Sequence, residues 1–164
     1  WIGYVYDDTG DPTPIPAKID FDNAKYRGFI GETDIATMSP ASSYNSATDE
    51  FDLNLGIPIP LQGPNVCGPY INHFSVRYKI NKTFAAGVYR FTLGGDDGVR
   101  LLVDGVERTP ANAFDFHSYT TYTTEPVCLT AGVHALEKPA GAGMAGEAHL
   151  TGAILASTTP ATRA

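Results

Sequence analysis

Two carboxylates occupy adjacent positions, Asp96 and Asp97, within GGDDGVRLLVDG, residues 94 to 105. Glycines flank the pair, Gly94 and Gly95 before it and Gly98 after it. As a solvated turn between strands the stretch needs no further explanation, because Asp and Gly are the residues turns favour. As a ligand site it has a second use. In an extended trans backbone successive side chains point to opposite faces, so neighbouring carboxylates do not readily share an ion. A cis peptide turns both to one side and makes a compact four-oxygen claw, at a cost of about 3 kcal/mol that a bound ion compensates. Ca²⁺, which takes about six to eight hard oxygens, is the natural ion for such a claw.

The claw needs a rigid frame, and the flanking sequence supplies one. Phe74, Val76, Tyr78 and Ile80 alternate with Ser75, Arg77 and Lys79. Tyr89, Phe91 and Leu93 alternate with Arg90 and Thr92, and Val99, Leu101 and Val103 share a face. Period two in three successive segments predicts half-buried antiparallel strands. Asp104-Gly105 reads as a hairpin turn into VER. Further strands are expected at WIGYVY, AKIDF, YRGFI, FDLNL, HSYTTYTT, on both sides of the Gly turn in VCLTAGVHALE, and at EAHLTGAIL. GETDIATM has a helical look over one turn. The stretch from Thr37 to Pro64, rich in Ser, Pro and Asn, is expected to be loops over one side of the fold, with Phe51, Leu53, Leu55 and Ile57 as an alternating apolar face. The expectation is an all-β antiparallel sandwich or barrel of roughly ten strands.

Composition narrows the partners. The chain has 164 residues, enough for one domain with a real core, and 17 Gly and 12 Pro point to a loop-rich β protein. A net charge of −7 without a Lys/Arg cluster argues against nucleic acid and anionic membrane. No apolar run approaches the ~20 residues of a membrane span. Beginning at Trp1, the sequence reads as a processed or excised segment. Cys67 and Cys128 have no metal-type spacing. They are either two buried thiols or one disulfide; the expectation is the disulfide, which for a loop of about 60 residues is worth ~4 kcal/mol by chain entropy and places the protein outside the cytosol.

FSVRYKINKTFAAGVYRFTLGGDDGVRLLVDG resembles the core of the protective-antigen fourteen-kilodalton (PA-fourteen) domain family, whose hallmark is Asp-Asp-Gly-Val-Arg-Leu, a strand and Asp-Gly. The hallmark falls on Asp96 to Leu101 and on Asp104-Gly105. WIGYVYDD, IDFDNAKYRGFI and FDFHSYTTYT with LTAGVHALE are similar to the secreted bacterial branch, so the resemblance covers residues 1–155 and leaves 156–164 as a Thr/Pro-rich tail or linker. It implies a β-sandwich in which Asp96 and Asp97, joined by a cis peptide, hold Ca²⁺ that coordinates vicinal sugar hydroxyls. Further ligands are implied in the loop 138–149, where Glu147 is the only carboxylate, Glu137 lies at the edge and the carbonyls of Gly141 to Gly146 remain. Gly95, His117 and Tyr119 are implied at the ligand rim, and Phe114 stands where the family has a tryptophan.

His73, His117, His134 and His149 lack metal spacing and read as strand residues, and Asp104 reads as a turn residue. The sequence contains no GxSxG, HExxH, P-loop or dinucleotide fingerprint. Taken with the resemblance, the reading is a non-catalytic, calcium-dependent carbohydrate-binding module of an exported, extracellular or cell-surface protein, with glycans or cell-surface polysaccharide as partners. The alternative is a structural protomer or spacer of an extracellular fibre or surface assembly, self-associating without sugar binding.

Overall fold

The computed structural model describes residues 1–9, 21–55, 59–71, 73–142 and 149–155. Its strands in chain order are β1 (Ile2–Asp7), β2 (Tyr26–Ile30), β3 (Ser43–Asn45), β4 (Glu50–Asn54), β5 (Phe74–Phe84), β6 (Gly87–Asp96), β7 (Leu102–Val103), β8 (Val106–Glu107), β9 (Thr120–Thr123), β10 (Val127–Leu129), β11 (Gly132–Ala142) and β12 (His149–Leu155). A six-residue helix, α1 (Glu32–Thr37), follows β2, and the Gly31 amide donates to Asp34 Oδ2 at its start. The all-β sandwich is therefore as expected, with twelve strands among the described residues.

The strands form two antiparallel sheets. The first runs β2-β1-β5-β11-β7-β8 and the second β10-β6-β12-β4-β3, with β9 also pairing with β6. The long β5–β11 ladder, from Gly132↔Phe84 to Ala142↔Phe74, is the spine of the first sheet. In the second, β12 lies between β6 and β4.

The alternation seen in the sequence becomes the core. Phe74, Val76 and Tyr78 of β5 are buried, as are Tyr89, Phe91 and Leu93 of β6 and Phe51 and Leu53 of β4. Each large apolar side chain removed from water contributes roughly 1.5–3 kcal/mol. Phe51 and Tyr78 meet across the two sheets with ring centroids 4.7 Å apart, and Phe84 meets Phe91 edge-on at 6.2 Å. The 37–64 stretch departs from the loops expected over one side of the fold: besides the FDLNL strand, β4, it supplies β3, and both are built into the second sheet. Where it is described it has no long helix, and Phe51, Leu53 and Leu55 are buried as anticipated. Val99 and Leu101 are buried but do not extend β7: Val99 makes an isolated bridge to Ala140, and the Arg100 amide donates to Pro139 O. The strand expected at AKIDF falls largely on 17–20, outside the described residues, as do Ile57 and the 156–164 tail.

The disulfide requires correction. Cys67 and Cys128 are both free and exposed. The topology separates them: the Cys67 amide donates to Arg27 O on β2, at one edge of the first sheet, while Cys128 lies on β10, at an edge of the second. They are neither the bridge expected nor buried thiols.

Candidate functional site

Asp96 is the last residue of β6, and the chain turns at Asp97 before Val99 bridges to the first sheet. The pair thus sits where the backbone crosses between sheets. Both aspartates are half-buried, and the peptide between them is cis, as anticipated. Gly95 explains why the turn closes here. A Cβ at that position would lie 2.3 Å from Val99 Cγ1 and 2.8 Å from Asp97 O, so the loop folds back over a position that only hydrogen can occupy. Its role visible in the structure is packing beneath the carboxylates.

The neighbouring strands frame the pair. On one side His149 of β12 is the Cα partner of Asp96, and Asn54 of β4 is the next partner in that row. On the other side Gly95 pairs with Thr120 of β9, which sets Tyr119, one residue earlier, beside Asp96. Tyr119 is 37% exposed. His117 lies in the segment leading to β9. Its Nδ1 is 3.0 Å from Ser118 O and its Nε2 3.3 Å from Ala113 O, the same carbonyl that accepts from the Val99 amide. Its ring packs on Tyr122 at 5.3 Å. The structure therefore brings His117 and Tyr119 to the Asp96–Asp97 end of the sandwich. Both His117 nitrogens face backbone carbonyls, a positioning arrangement. The expected 138–149 ligand loop is corrected in part: residues 138–142 belong to β11 and His149 opens β12. Glu137 lies in β11 and is held by Arg77 at 2.6 and 2.9 Å, and Glu147, within 143–148, lies outside the described residues.

The donor chemistry can be compared with a calcium ion. Among the described residues no group of three or more His, Cys, Asp or Glu side chains is placed to hold a metal. What converges is a pair of hard carboxylates at one turn. Their kind suits Ca²⁺ and their number does not complete its shell; carbonyl, water or ligand oxygens must supply the remainder.

Two further features surround this end of the fold. Phe114 presents its ring to the Arg100 guanidinium at 4.3 Å, and Arg100 also pairs with Glu107 at 3.2 Å. Lys138, the first residue of the expected 138–149 loop, belongs instead to β11 and is 1% exposed in the core. Its Nζ donates to Gly94 O at 3.2 Å and lies 5.0 Å from the Phe51 ring centroid and 5.8 Å from that of Tyr78. Burial pushes its amine down to about 7, and Asp52 partly opposes this. The signal was present in the sequence, since Lys138 shares period-two spacing with Leu136 and Ala140, both buried.

The other titratable residues have structural partners. Asp104 is a turn residue as expected, with φ 50° before Gly105 at 77°, the pattern of a two-residue hairpin turn. It does more than turn: Oδ2 meets His134 Nδ1 at 2.6 Å and Oδ1 accepts from the Ala135 amide at 2.9 Å. That hydrogen bond holds the His134 pKa above its usual value and the Asp104 pKa below its own. His134 and His149 are strand residues, as read from the sequence. His73, at φ 54°, and His117 are not, because each falls in the irregular segment leading to a strand.

A scan against protein-family models finds no match, and a search of curated proteins finds none. Solved structures do share the fold. An anti-sigma factor domain-containing protein matches with a TM-score of 0.60 and 17% identity over 97% of this chain and 43% of that one. An anti-sigma factor domain-containing protein from Clostridium clariflavum matches at 0.53 and 16%, over 94% of this chain and 42% of its own. The PA14 domain of the MpAFP antifreeze protein matches at 0.50 and 14%, over 96% of this chain and 81% of its own. The chain thus spans less than half of the first two structures, and at these identities the likeness is one of fold.

Proposed function

We propose that this chain is a non-catalytic, calcium-dependent carbohydrate-binding module of an exported surface protein, with Asp96 and Asp97 as the protein's carboxylate ligands. The observation that carries the reading is the placement of the two half-buried carboxylates at the crossing between sheets, over a glycine whose contacts leave no room for a side chain. The sandwich it shares with a PA14 domain supports the fold on which the motif resemblance rests. The chain's own residues divide the work. Asp96 and Asp97 would hold the ion, Gly95 lets the turn close, His117 steadies the segment beneath Val99, and Tyr119 offers a rim for a sugar. Bound calcium would supply open coordination positions for vicinal hydroxyls.

Calorimetry and thermal melting test this reading. Calcium should give a measurable heat of binding and raise Tm, adding about 2.7 kcal/mol of stability at a hundredfold excess over Kd. Asp97→Ala should remove that shift, whereas Asp104→Ala, on the distant hairpin, should keep it. If neither calcium nor EDTA moves the wild-type Tm and no calcium heat appears, the pair is a turn and the reading fails.

A further inference from the structure

The first sheet carries a cleft of about 770 Å³ beside β1, β2 and α1, well away from the aspartate pair. That volume lies within the range typical of small-molecule sites. Its floor and walls include Tyr4, Phe29, Lys79, Asn65 and Asn81, with α1 along one side. Tyr4 and Phe29 are cross-strand partners on β1 and β2, and Phe29 is 39% exposed. Aromatic side chains on neighbouring strands of one sheet face offer flat apolar surface to a ligand.

The wall that holds Asn65 is fixed by an unusually close approach. The Phe29 amide donates to Asn65 O at 3.1 Å, and a Cβ on Gly28, at φ 123°, would lie 1.9 Å from that same oxygen. Asn65 is therefore brought against β2 because residue 28 has no side chain. The carboxamides of Asn65 and Asn81 are exposed and make no hydrogen bond to protein among the described residues. The charged groups nearby are already occupied. Lys79 Nζ pairs with Glu137 Oε2 at 3.4 Å, Asp34 Oδ2 accepts from the Gly31 amide at 2.8 Å, and Glu32 Oε1 accepts from the Tyr44 hydroxyl at 2.8 Å. The cleft thus joins aromatic faces and unused carboxamides to charges of both signs, Lys79 on one side and Glu32 and Asp34 on the other. Glu32 and Asp34 repel an anion and Lys79 repels a cation, so neither sign of ligand is favoured. A neutral ligand with apolar C–H faces and many hydroxyls matches each element.

We propose that this cleft is a second saccharide-binding site, independent of metal, which takes a segment of a neutral glycan by stacking on Tyr4 and Phe29 and hydrogen bonding to Asn65 and Asn81. It shares no residue with the Asp96–Asp97 site, so either can fail without the other. Together the two would let one domain grip a polysaccharide at separate points, multiplying weak affinities through effective concentration.

The experiment uses cellohexaose, xylohexaose and mannohexaose as probes, in EDTA, with isothermal calorimetry and fluorescence as readouts. Trp1, the sole tryptophan, is buried at the edge of the cleft against Phe51, so its emission reports occupancy. At least one hexasaccharide should bind in EDTA. Tyr4→Ala and Phe29→Ala should each weaken it on the order of tenfold, with Phe29→Tyr retaining affinity. Asn81→Ala, at an exposed position, provides a second variant that keeps the core intact and should weaken binding several-fold. If none of the three sugars binds in EDTA, or if binding ignores Phe29 and Asn81, the proposal is wrong, whatever calcium does at Asp96 and Asp97.

Discussion

Replacing Lys138 by methionine should make the protein more stable and flatten its response to alkali. The amine is held in the core beside the paired Phe51 and Tyr78 rings, and burial lowers its pKa from 10.5 to about 7. At about 1.4 kcal/mol per pH unit, that depression corresponds to a burial cost of about 5 kcal/mol for the charged form. The sign follows from proton counting. Between pH 7 and 10.5 the unfolded chain keeps the proton that the folded chain has lost, so stability rises with pH across that window. From pH 7 to pH 9 the rise amounts to about 2 kcal/mol. Methionine has a similar length and no charge to desolvate. Replacing a buried charged group with an apolar one of similar volume commonly gains about 1–4 kcal/mol, less here whatever the hydrogen bond to Gly94 O contributes. Urea titrations at pH 7, 8 and 9, followed by Trp1 emission, measure both quantities. Lys138→Met should be the more stable at pH 7, and its advantage should shrink by about 2 kcal/mol by pH 9. If the two proteins keep a constant difference across that range, Lys138 is not a desolvated amine and the reasoning fails.

Two other outcomes follow from the described contacts. His134 should titrate above 6.5 by NMR, and Asp104→Asn should bring it back down. The raised His134 pKa gives stability that is complete below 6.5 and lost as pH rises through the folded value, while the lowered Asp104 pKa gives stability present above 3.8 and lost as pH falls through its folded value. The destabilisation caused by Asp104→Asn should therefore be greatest near pH 5–6 and smaller at pH 9, and a pH-independent difference would count against the pair. Cys67 and Cys128, both exposed and unpaired, should react rapidly with a thiol reagent in the folded protein, two equivalents per chain, and a folded chain with no reactive thiol would restore the disulfide.

The architecture was legible because alternation records which face of a strand meets the core. Phe74, Val76 and Tyr78, or Tyr89, Phe91 and Leu93, admit one arrangement on a pleated sheet. The Asp104-Gly105 turn was legible because few residues accept positive φ at both positions. Contacts set by topology were not legible. Cys67 and Cys128 differ from a bonded pair only in that β2 and β10 lie at edges of different sheets, which no local pattern records. The link from His117 through Ala113 O to Val99 depends on an irregular segment with no period. Lys138 is a different kind of miss. Its position obeys the alternation of Leu136 and Ala140, but the resemblance implies a loop over 138–149 and lysine is rarely buried, so its place in β11 and the core was hidden.

The place of β12 between β6 and β4 bears on how such a chain is completed. Synthesised or threaded through a pore from its N-terminal end, the polypeptide delivers β4 and β6 well before the strand that joins them. Until residues 149–155 arrive, the flank of each that β12 will occupy has open amides and carbonyls. The finished sheet is in this sense closed by internal donor-strand complementation, with the chain's own late segment filling a slot that a foreign strand of matching alternation could otherwise enter.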